Sequence, residues 1–329
     1  MTQKKMTIDL NQNFGILGEN IHRKYMNNNR ILVLGSNGML GKMVAIYLSS
    51  NRDFDVTITA RNTNQFIENN FSGNYLKFDV VNDNLDEIIK KNDQYSYIIN
   101  CIGVIKPKID EKDNASIHNT ILINSYFPLD LQRIALEKDI KYIQIGTDCV
   151  FSGESGDYFE NSFMDANDLY GKSKIVGEIE SNNKHILRSS IIGPEVGNGY
   201  SLMNWFLKNN ETEVSGFQNH EWNGVTTLNF SKVIEGIIKH DKFKFKTQHL
   251  IPKNTISKAM LLEELKKNFK KDIRIEHIDS ENIINRTLLT NNNELNENLW
   301  KLSGYSNVPT IEDNIEELAN SEFLHRIIN

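Results

Sequence analysis

A chain of 329 residues, 39% hydrophobic and 24% charged, can bury one large core or two smaller ones. Its net charge of −6, with no basic block, argues against nucleic acid or an anionic membrane surface as the main partner, while a phosphorylated small molecule needs only local positive potential. Two cysteines, Cys101 and Cys149, cannot build a disulfide framework, and no apolar run has signal-peptide or membrane-spanning character, so a reducing cytoplasm is the expected location.

Residues 1–29 are polar and read as an N-terminal extension, with a helix near 16–25 as one option. Residues 30–35 are a short apolar run ending in Gly35, the pattern of a buried parallel strand. A helix is predicted over 39–49 from the spacing of Leu40, Met43, Val44, Tyr47 and Leu48. Strands follow at 54–60, 75–80 and 95–102, with a short helix at 84–91. A long helix is predicted over 115–137, with Ile117, Ile121, Leu122, Leu129, Leu131, Ile134 and Ala135 as its inner face and Pro128 as a kink or first turn. A strand at 141–146, a helix at 168–180 and a strand at 185–192 complete the regular alternation. Beyond Gly193 the pattern loosens into helices at 202–208, 230–240, 258–269 and 310–319, with strand-like runs at 248–251 and 273–278.

Strands alternating with helices at this spacing predict an α/β, Rossmann-type, doubly wound parallel sheet. The expected division is a cofactor-binding domain over 30–192, to which 224–252 returns. A smaller, discontinuous substrate domain is expected over 193–223 and 253–329. Such sheets bind ligands at the carboxyl ends of their strands, and Gly35, Arg61, Asp79, Gly103 and Thr147 all fall there.

The loop Gly35-Ser36-Asn37-Gly38-Met39-Leu40-Gly41 lies between a strand and a helix. Glycine lets backbone approach a pyrophosphate, and the helix N-terminus favours its charge. The second strand ends at Arg61 and carries no acid, so the ribose-binding carboxylate of an NAD site is missing. An arginine there suits a 2′-phosphate, which points to NADPH over NADH; an exposed surface arginine is the plainer reading. Tyr170 and Lys174 stand four apart on one helix face. An ammonium beside a phenol favours the phenolate, making the pair an acid–base unit for a carbonyl oxygen. Thr147, at a strand end upstream, adds a hydroxyl to the same oxygen. A Tyr-x-x-x-Lys spacing alone is more often an ordinary amphipathic helix; Thr147 and the glycine loop are what set this one apart.

Together with Asn100-Cys101-Ile102-Gly103, Thr147-Asp148-Cys149-Val150-Phe151-Ser152-Gly153, Tyr170-Gly171-Lys172-Ser173-Lys174 and Leu187-Arg188-Ser189-Ser190, the glycine loop resembles the extended short-chain dehydrogenases/reductases. The similarity is to their dTDP-4-dehydrorhamnose reductase-like, sugar-nucleotide-binding branch, and residues 1–29 have no counterpart in it. The resemblance implies an NAD(P)H-dependent oxidoreductase reducing a 4-keto nucleotide sugar, in deoxysugar and surface-polysaccharide biosynthesis. It implies Thr147, Tyr170 and Lys174 as the catalytic set, with Tyr170 and Lys174 also at the cofactor, whose ribose Lys174 can hold, Asp79 and Val80 by the adenine, Cys101, Ile102 and Gly103 by the ribose, and Asn124 behind the lysine.

Cys149 allows two readings. In GDP-fucose synthase, which the branch resembles, a cysteine two residues after the catalytic hydroxyl is an epimerisation acid/base, and Cys149 has that offset from Thr147. The partner histidine has no clear match; His220 is a distant candidate. In the plainer reading Cys149 is a small apolar side chain under the sugar. A third possibility is a non-catalytic NADP-binding subunit, since the regulatory subunit of methionine adenosyltransferase is similar to the same family. Lys106, Asp148, Trp222 and Arg286 are the candidate substrate contacts, each with an ordinary structural alternative. No His/Cys/Asp/Glu cluster has metal-ligand spacing, so no bound metal is expected. The sequence allows a homodimer without requiring one.

Overall fold

The computed structural model describes residues 29–63, 65–71, 73–90, 95–195, 199–244 and 246–328. The expected N-terminal extension lies, apart from Asn29, outside these residues. In chain order the strands are β1 (Asn29–Leu34), β2 (Phe54–Ala60), β3 (Asn74–Lys77), β4 (Tyr97–Asn100), β5 (Lys141–Gly146), β6 (Lys184–Arg188), β7 (Ile191–Ile192), β8 (Glu213–Phe217), β9 (Glu221–Trp222), β10 (Val225–Thr226), β11 (Thr247–His249), β12 (Ile256–Ser257) and β13 (Arg274–Ile278). The helices are α1 (Met39–Ser50), α2 (Gln65–Asn70), α3 (Leu85–Lys90), α4 (Asn114–Ile121), α5 (Phe127–Glu137), α6 (Leu169–Gly177), α7 (Leu202–Lys208), α8 (Thr227–Lys239), α9 (Lys258–Phe269), α10 (Asn293–Leu302), α11 (Ile311–Ala319) and α12 (Glu322–Ile328).

Seven strands form one sheet in the order β11-β6-β5-β4-β1-β2-β3, every pair parallel. This is the doubly wound arrangement, with the strand order reversing between β1 and β4, where such sheets open a ligand crevice. Successive residues of β1 point to opposite faces. Ile31 and Val33 join a core with α1, α8 and Trp300, while Leu32 and Leu34 join Phe127, Leu131 and Ile134 of α5 on the other face. Both faces are apolar because both are covered by helices. Three two-stranded pairs lie outside the main sheet: β7 with β10, β9 with β12, and β8 with β13.

Four expectations are corrected. The strand expected over 75–80 ends at Lys77, and the predicted strand at 185–192 breaks after Arg188. There the chain turns at Ser189 and Ser190, the Ser190 carbonyl accepts from Val225 N–H at 2.9 Å, and Ile191–Ile192 pair with Val225–Thr226 instead. The helix over 115–137 is continuous but carries a π-turn at Leu122–Tyr126. The extra residue rotates α4 against α5, so Ile121, placed by periodicity on the inner face, is 47% exposed. Pro128 lies just inside α5, directly after that turn. The sequence reading also missed α2, α10, α12 and β8. The α10 helix is mostly polar and buries little more than Leu295, Leu299 and Trp300, too sparse a stripe to read from periodicity.

Candidate active site

The glycine turn closes against α1. Gly38 N–H donates to the Gly35 carbonyl at 3.0 Å, and a Cβ on Gly41 would lie 2.1 Å from that same oxygen. Only glycine lets the helix start this close to the strand end. The first turn of α1 contains no acidic side chain, leaving its N-terminal charge available to an anion. Ser36 is buried with its hydroxyl donating to the Thr59 carbonyl at 3.0 Å, and Met39 and Leu40 form the start of the helix. These residues hold the turn in shape.

A cavity of about 420 Å³ opens at the carboxyl ends of β1, β2 and β4. Gly35, Asn37 and Gly38 line it from the turn, Arg61, Asp79 and Val80 from the β2 and β3 ends, and Cys101, Ile102 and Gly103 from the β4 end. Beside it lies a polar cavity of about 380 Å³ bordered by Asn37, Arg61, Asn62 and Lys77. Among the described residues Arg61 forms no ion pair. Lys77 was not expected here. It faces this cavity because β3 pairs Lys77 with Ala60, a register that periodicity does not reveal. Asp79 and Asp83 border the same cavity. Asp79 accepts from Val81 N–H and from Asn82, and Asp83 from Asp79 N–H. The volume and the glycine approach fit a dinucleotide.

Thr147, Tyr170 and Lys174 come together at the end of β5. The Thr147 hydroxyl accepts from Cys149 N–H and donates to Asp148 Oδ1, both at 3.2 Å. Burial raises the Tyr170 pKa above its ordinary value, the neighbouring Cys149 adds to this, and the Thr147 hydroxyl opposes it. In this structure burial outweighs the hydrogen bond with Thr147, so the net direction for the phenol is upward. Lys174 Nζ donates to the Ile145 carbonyl at 3.2 Å, and burial lowers its pKa against the pull of Glu178, Cys149 and Cys101.

The α6 helix that carries this pair is fixed from several sides. A Cβ on Gly171 would meet the Cys149 carbonyl oxygen at 2.5 Å, so the helix lies directly on the turn after β5. Asp168 caps its N-terminus by accepting from Gly171 N–H at 2.8 Å. Asn124, inside the π-turn, accepts from Val104 N–H, donates to the Val104 carbonyl and donates to Ser173 Oγ, tying the β4 loop to α6. Glu178 was missed by the sequence reading. It accepts from Thr147 N–H with one oxygen (3.1 Å) and from Arg188 with the other (2.8 and 3.0 Å), and the Glu178–Arg188 pair is almost wholly buried. Four residues after Lys174, it lies on the same face as Tyr170 and Lys174, which is the signal that could have found it.

The opposite wall is assembled from distant segments. Cys149 is next to Tyr170; burial pushes its thiol up to about 12, Asp148 adds to that, and Arg286 opposes it. Arg286 is half-buried, and its Nε donates to the Phe151 carbonyl at 2.8 Å. Trp222 is buried, its indole N–H donating to Ser190 Oγ at 2.8 Å. Lys258, which the sequence reading passed over, places its ammonium 5.2 Å from the Trp222 ring centre and within the field of Asp148 and Cys149. Lys106 is not directed into this wall: it is exposed and pairs with Asp168 at 2.8 Å. His220 Nε2 donates to the Asn282 carbonyl at 2.7 Å and does not join Cys149.

Among the described residues no group of three or more His, Cys, Asp or Glu side chains is placed to hold a metal ion, and no helix is long and apolar enough to cross a membrane. The sheet order, the glycine turn and the strand-end crevice define an extended short-chain dehydrogenase/reductase fold. The chain belongs to the RmlD substrate binding domain family, whose model matches residues 29–323. Among solved structures it is similar to dTDP-4-dehydrorhamnose reductase from Bacillus anthracis in complex with NADP, with a TM-score of 0.68 and 17% identity over 88% of this chain and 98% of that one. It is also similar to ADP-L-glycero-D-manno-heptose-6-epimerase from Helicobacter pylori, with a TM-score of 0.71 and 16% identity over 89% and 96%. A curated relative, methionine adenosyltransferase 2 subunit beta from Danio rerio, is 28% identical over 152 residues. That match spans 46% of this chain and less than half (43%) of the relative's length.

Proposed function

We propose that this protein is an NADPH-dependent 4-ketoreductase acting on a UDP- or dTDP-linked 4-keto-6-deoxy sugar. The observation that carries the reading is the convergence of the Thr147 hydroxyl, the Tyr170 phenol and the Lys174 ammonium at the end of β5, next to the glycine-turn cavity. The turn 35–41 and the β4 end would hold the dinucleotide, with Arg61 and Lys77 suited to its 2′-phosphate. When bound, the dihydronicotinamide supplies a hydride. Tyr170, kept protonated by its burial, gives a proton to the carbonyl oxygen as negative charge develops there. Thr147 orients that oxygen, Lys174 braces the end of β5 through Ile145, and Glu178 holds the Thr147 backbone in place.

Two further readings each have an observation behind them. The closeness of Cys149 to Tyr170 favours an epimerisation at C3 or C5 before reduction. The match to a methionine adenosyltransferase subunit favours a non-catalytic NADP-binding role. One experiment separates all three. The protein is incubated in D₂O with NADPH and UDP- or dTDP-linked 4-keto-6-deoxy sugars, with and without a 2-acetamido group. NADPH oxidation without deuterium at C3 or C5 is the expected result. Deuterium at either carbon, lost in Cys149→Ser, replaces it with the epimerase–reductase. NADPH binding with no oxidation on any sugar removes the reductase reading in favour of the binding subunit.

A further inference from the structure

Lys258 is held where an ordinary surface lysine would not be. It is the first residue of α9, after Ser257, whose side chain accepts from Met260 N–H at 3.2 Å. Its own N–H donates to the His220 carbonyl at 2.8 Å, and the β12–β9 pairing sets Ile256 opposite Trp222. A cation at a helix N-terminus is on the electrostatically unfavourable end. The ammonium nevertheless turns inward over the Trp222 ring, which Ser190 fixes in orientation.

The charges around it do not neutralise it. Asp148 and Cys149 face it from the turn after β5, but the Asp148 carboxylate already accepts the Thr147 hydroxyl, and Cys149 is a protonated thiol at neutral pH. The Glu221 carboxylate of β9 accepts from Asn285, and the ring of the preceding His220 donates to the Asn282 carbonyl. No carboxylate among the described residues lies within ion-pair distance of Lys258. Burial accordingly lowers its pKa to about 8, with Asp148 and Cys149 only partly offsetting the loss of water. Arg286, on the same wall, spends Nε on a carbonyl and likewise has no ion pair among the described residues. Arg286 has the Asp165 and Asp168 carboxylates within its field, whereas Lys258, over Trp222 and beside the turn after Thr147, has no ion-pair partner among the described residues and complements a negatively charged ligand.

We infer that Lys258 is an ammonium seat for an anionic oxygen of the substrate, on the sugar side of the site. This rests on the sugar-nucleotide reading above and adds to it a residue and a charge requirement. The anionic oxygen belongs either to the diphosphate bridge or to a carboxylate on the sugar, and the two are separable by ligand choice.

The test is calorimetric titration of the NADPH-bound protein with UDP, dTDP, UDP-glucose and UDP-glucuronate, using wild type, Lys258→Met and Lys258→Arg. If the diphosphate is the partner, Lys258→Met weakens the nucleotides that bind wild type by about 10- to 100-fold and Lys258→Arg restores most of it. If a sugar carboxylate is the partner, UDP is unaffected and the loss appears for UDP-glucuronate relative to UDP-glucose. In either case wild-type affinity for the responsive ligand is flat below pH about 8 and falls above it, as the ammonium deprotonates. In Lys258→Arg that alkaline fall disappears. A merely structural lysine would not move this profile. Lys258→Met binding every ligand as wild type does, or an alkaline fall that persists in Lys258→Arg, overturns the inference while leaving the sugar-nucleotide reading standing. Should Lys258→Met not fold, the pH profiles of wild type and Lys258→Arg decide alone. Wild type that binds NADPH but none of the four nucleotides brings down the sugar-nucleotide reading and this inference together.

Discussion

The two walls of the crevice are built by opposite strategies. The wall proposed for the dinucleotide is local: the turn 35–41, the β2 and β4 ends and the residues after them each act within a few positions of the strand that presents them. The wall proposed for the sugar gathers the turn after β5, β9, the first residue of α9 and Arg286 from separate parts of the chain. Local walls are secured by backbone geometry, which is why a single Cβ on Gly41 would collide with the turn. Assembled walls are secured by side-chain contacts across segments, as where Trp222 reaches Ser190 and Arg286 reaches Phe151. Such contacts can be exchanged without disturbing the sheet, so the sugar wall is where specificity can vary while the fold stays the same.

Variants can set the two walls against each other. The largest effect is expected at their junction, where Tyr170→Phe removes the proton donor and lowers reductive turnover by about 10²- to 10⁴-fold. NADPH binding by fluorescence titration stays near wild type, because the dinucleotide wall is untouched. Equal losses of turnover and NADPH binding would mean that the hydroxyl serves the cofactor instead. Next comes the frame shared by both walls. Glu178→Leu leaves Arg188 buried without its partner and should cost about 3–5 kcal/mol in urea unfolding. Adding Arg188→Met should recover most of that loss, since both charges are then gone. A loss below about 1 kcal/mol in the single variant would remove this pair from the account of how Thr147 is held. The smallest effect belongs to the dinucleotide wall alone. Arg61→Ala should weaken NADPH by about 10-fold and leave NADH unchanged, a loss of one charge-assisted contact. If both cofactors weaken alike, Arg61 does not read the 2′-phosphate. Lys258→Met is the counterpart on the other wall, changing nucleotide affinity without changing that for NADPH.

How legible each part was follows the same division. The order of alternating elements predicted the doubly wound sheet, and the strand-end residues Gly35, Arg61, Asp79 and Gly103 line one cavity as expected. That Thr147, Tyr170 and Lys174 lie together was readable because their spacing is tied to a strand end and a helix face. Three things were not readable. The π-turn hid the true face of α4, because one added residue changes phase without changing composition. The split of the predicted last strand depended on Val225 reaching Ser190 from elsewhere. The pairing of Lys106 with Asp168 joins segments 62 residues apart, which no local pattern records.

The amino-acid sequence by itself determined the period-two and helical patterns, the glycine approach and the residue types at each strand end, because these depend on interactions between near neighbours in the chain. Only the tertiary structure decided that Lys77 borders the polar cavity, that Glu178 and Arg188 lock the end of β5, and that Lys258 turns over Trp222 toward Asp148 and Cys149. Each of these rests on strand register or on packing between remote segments. A lysine's burial and the charges around it exist only once those segments have met, and no local pattern records them.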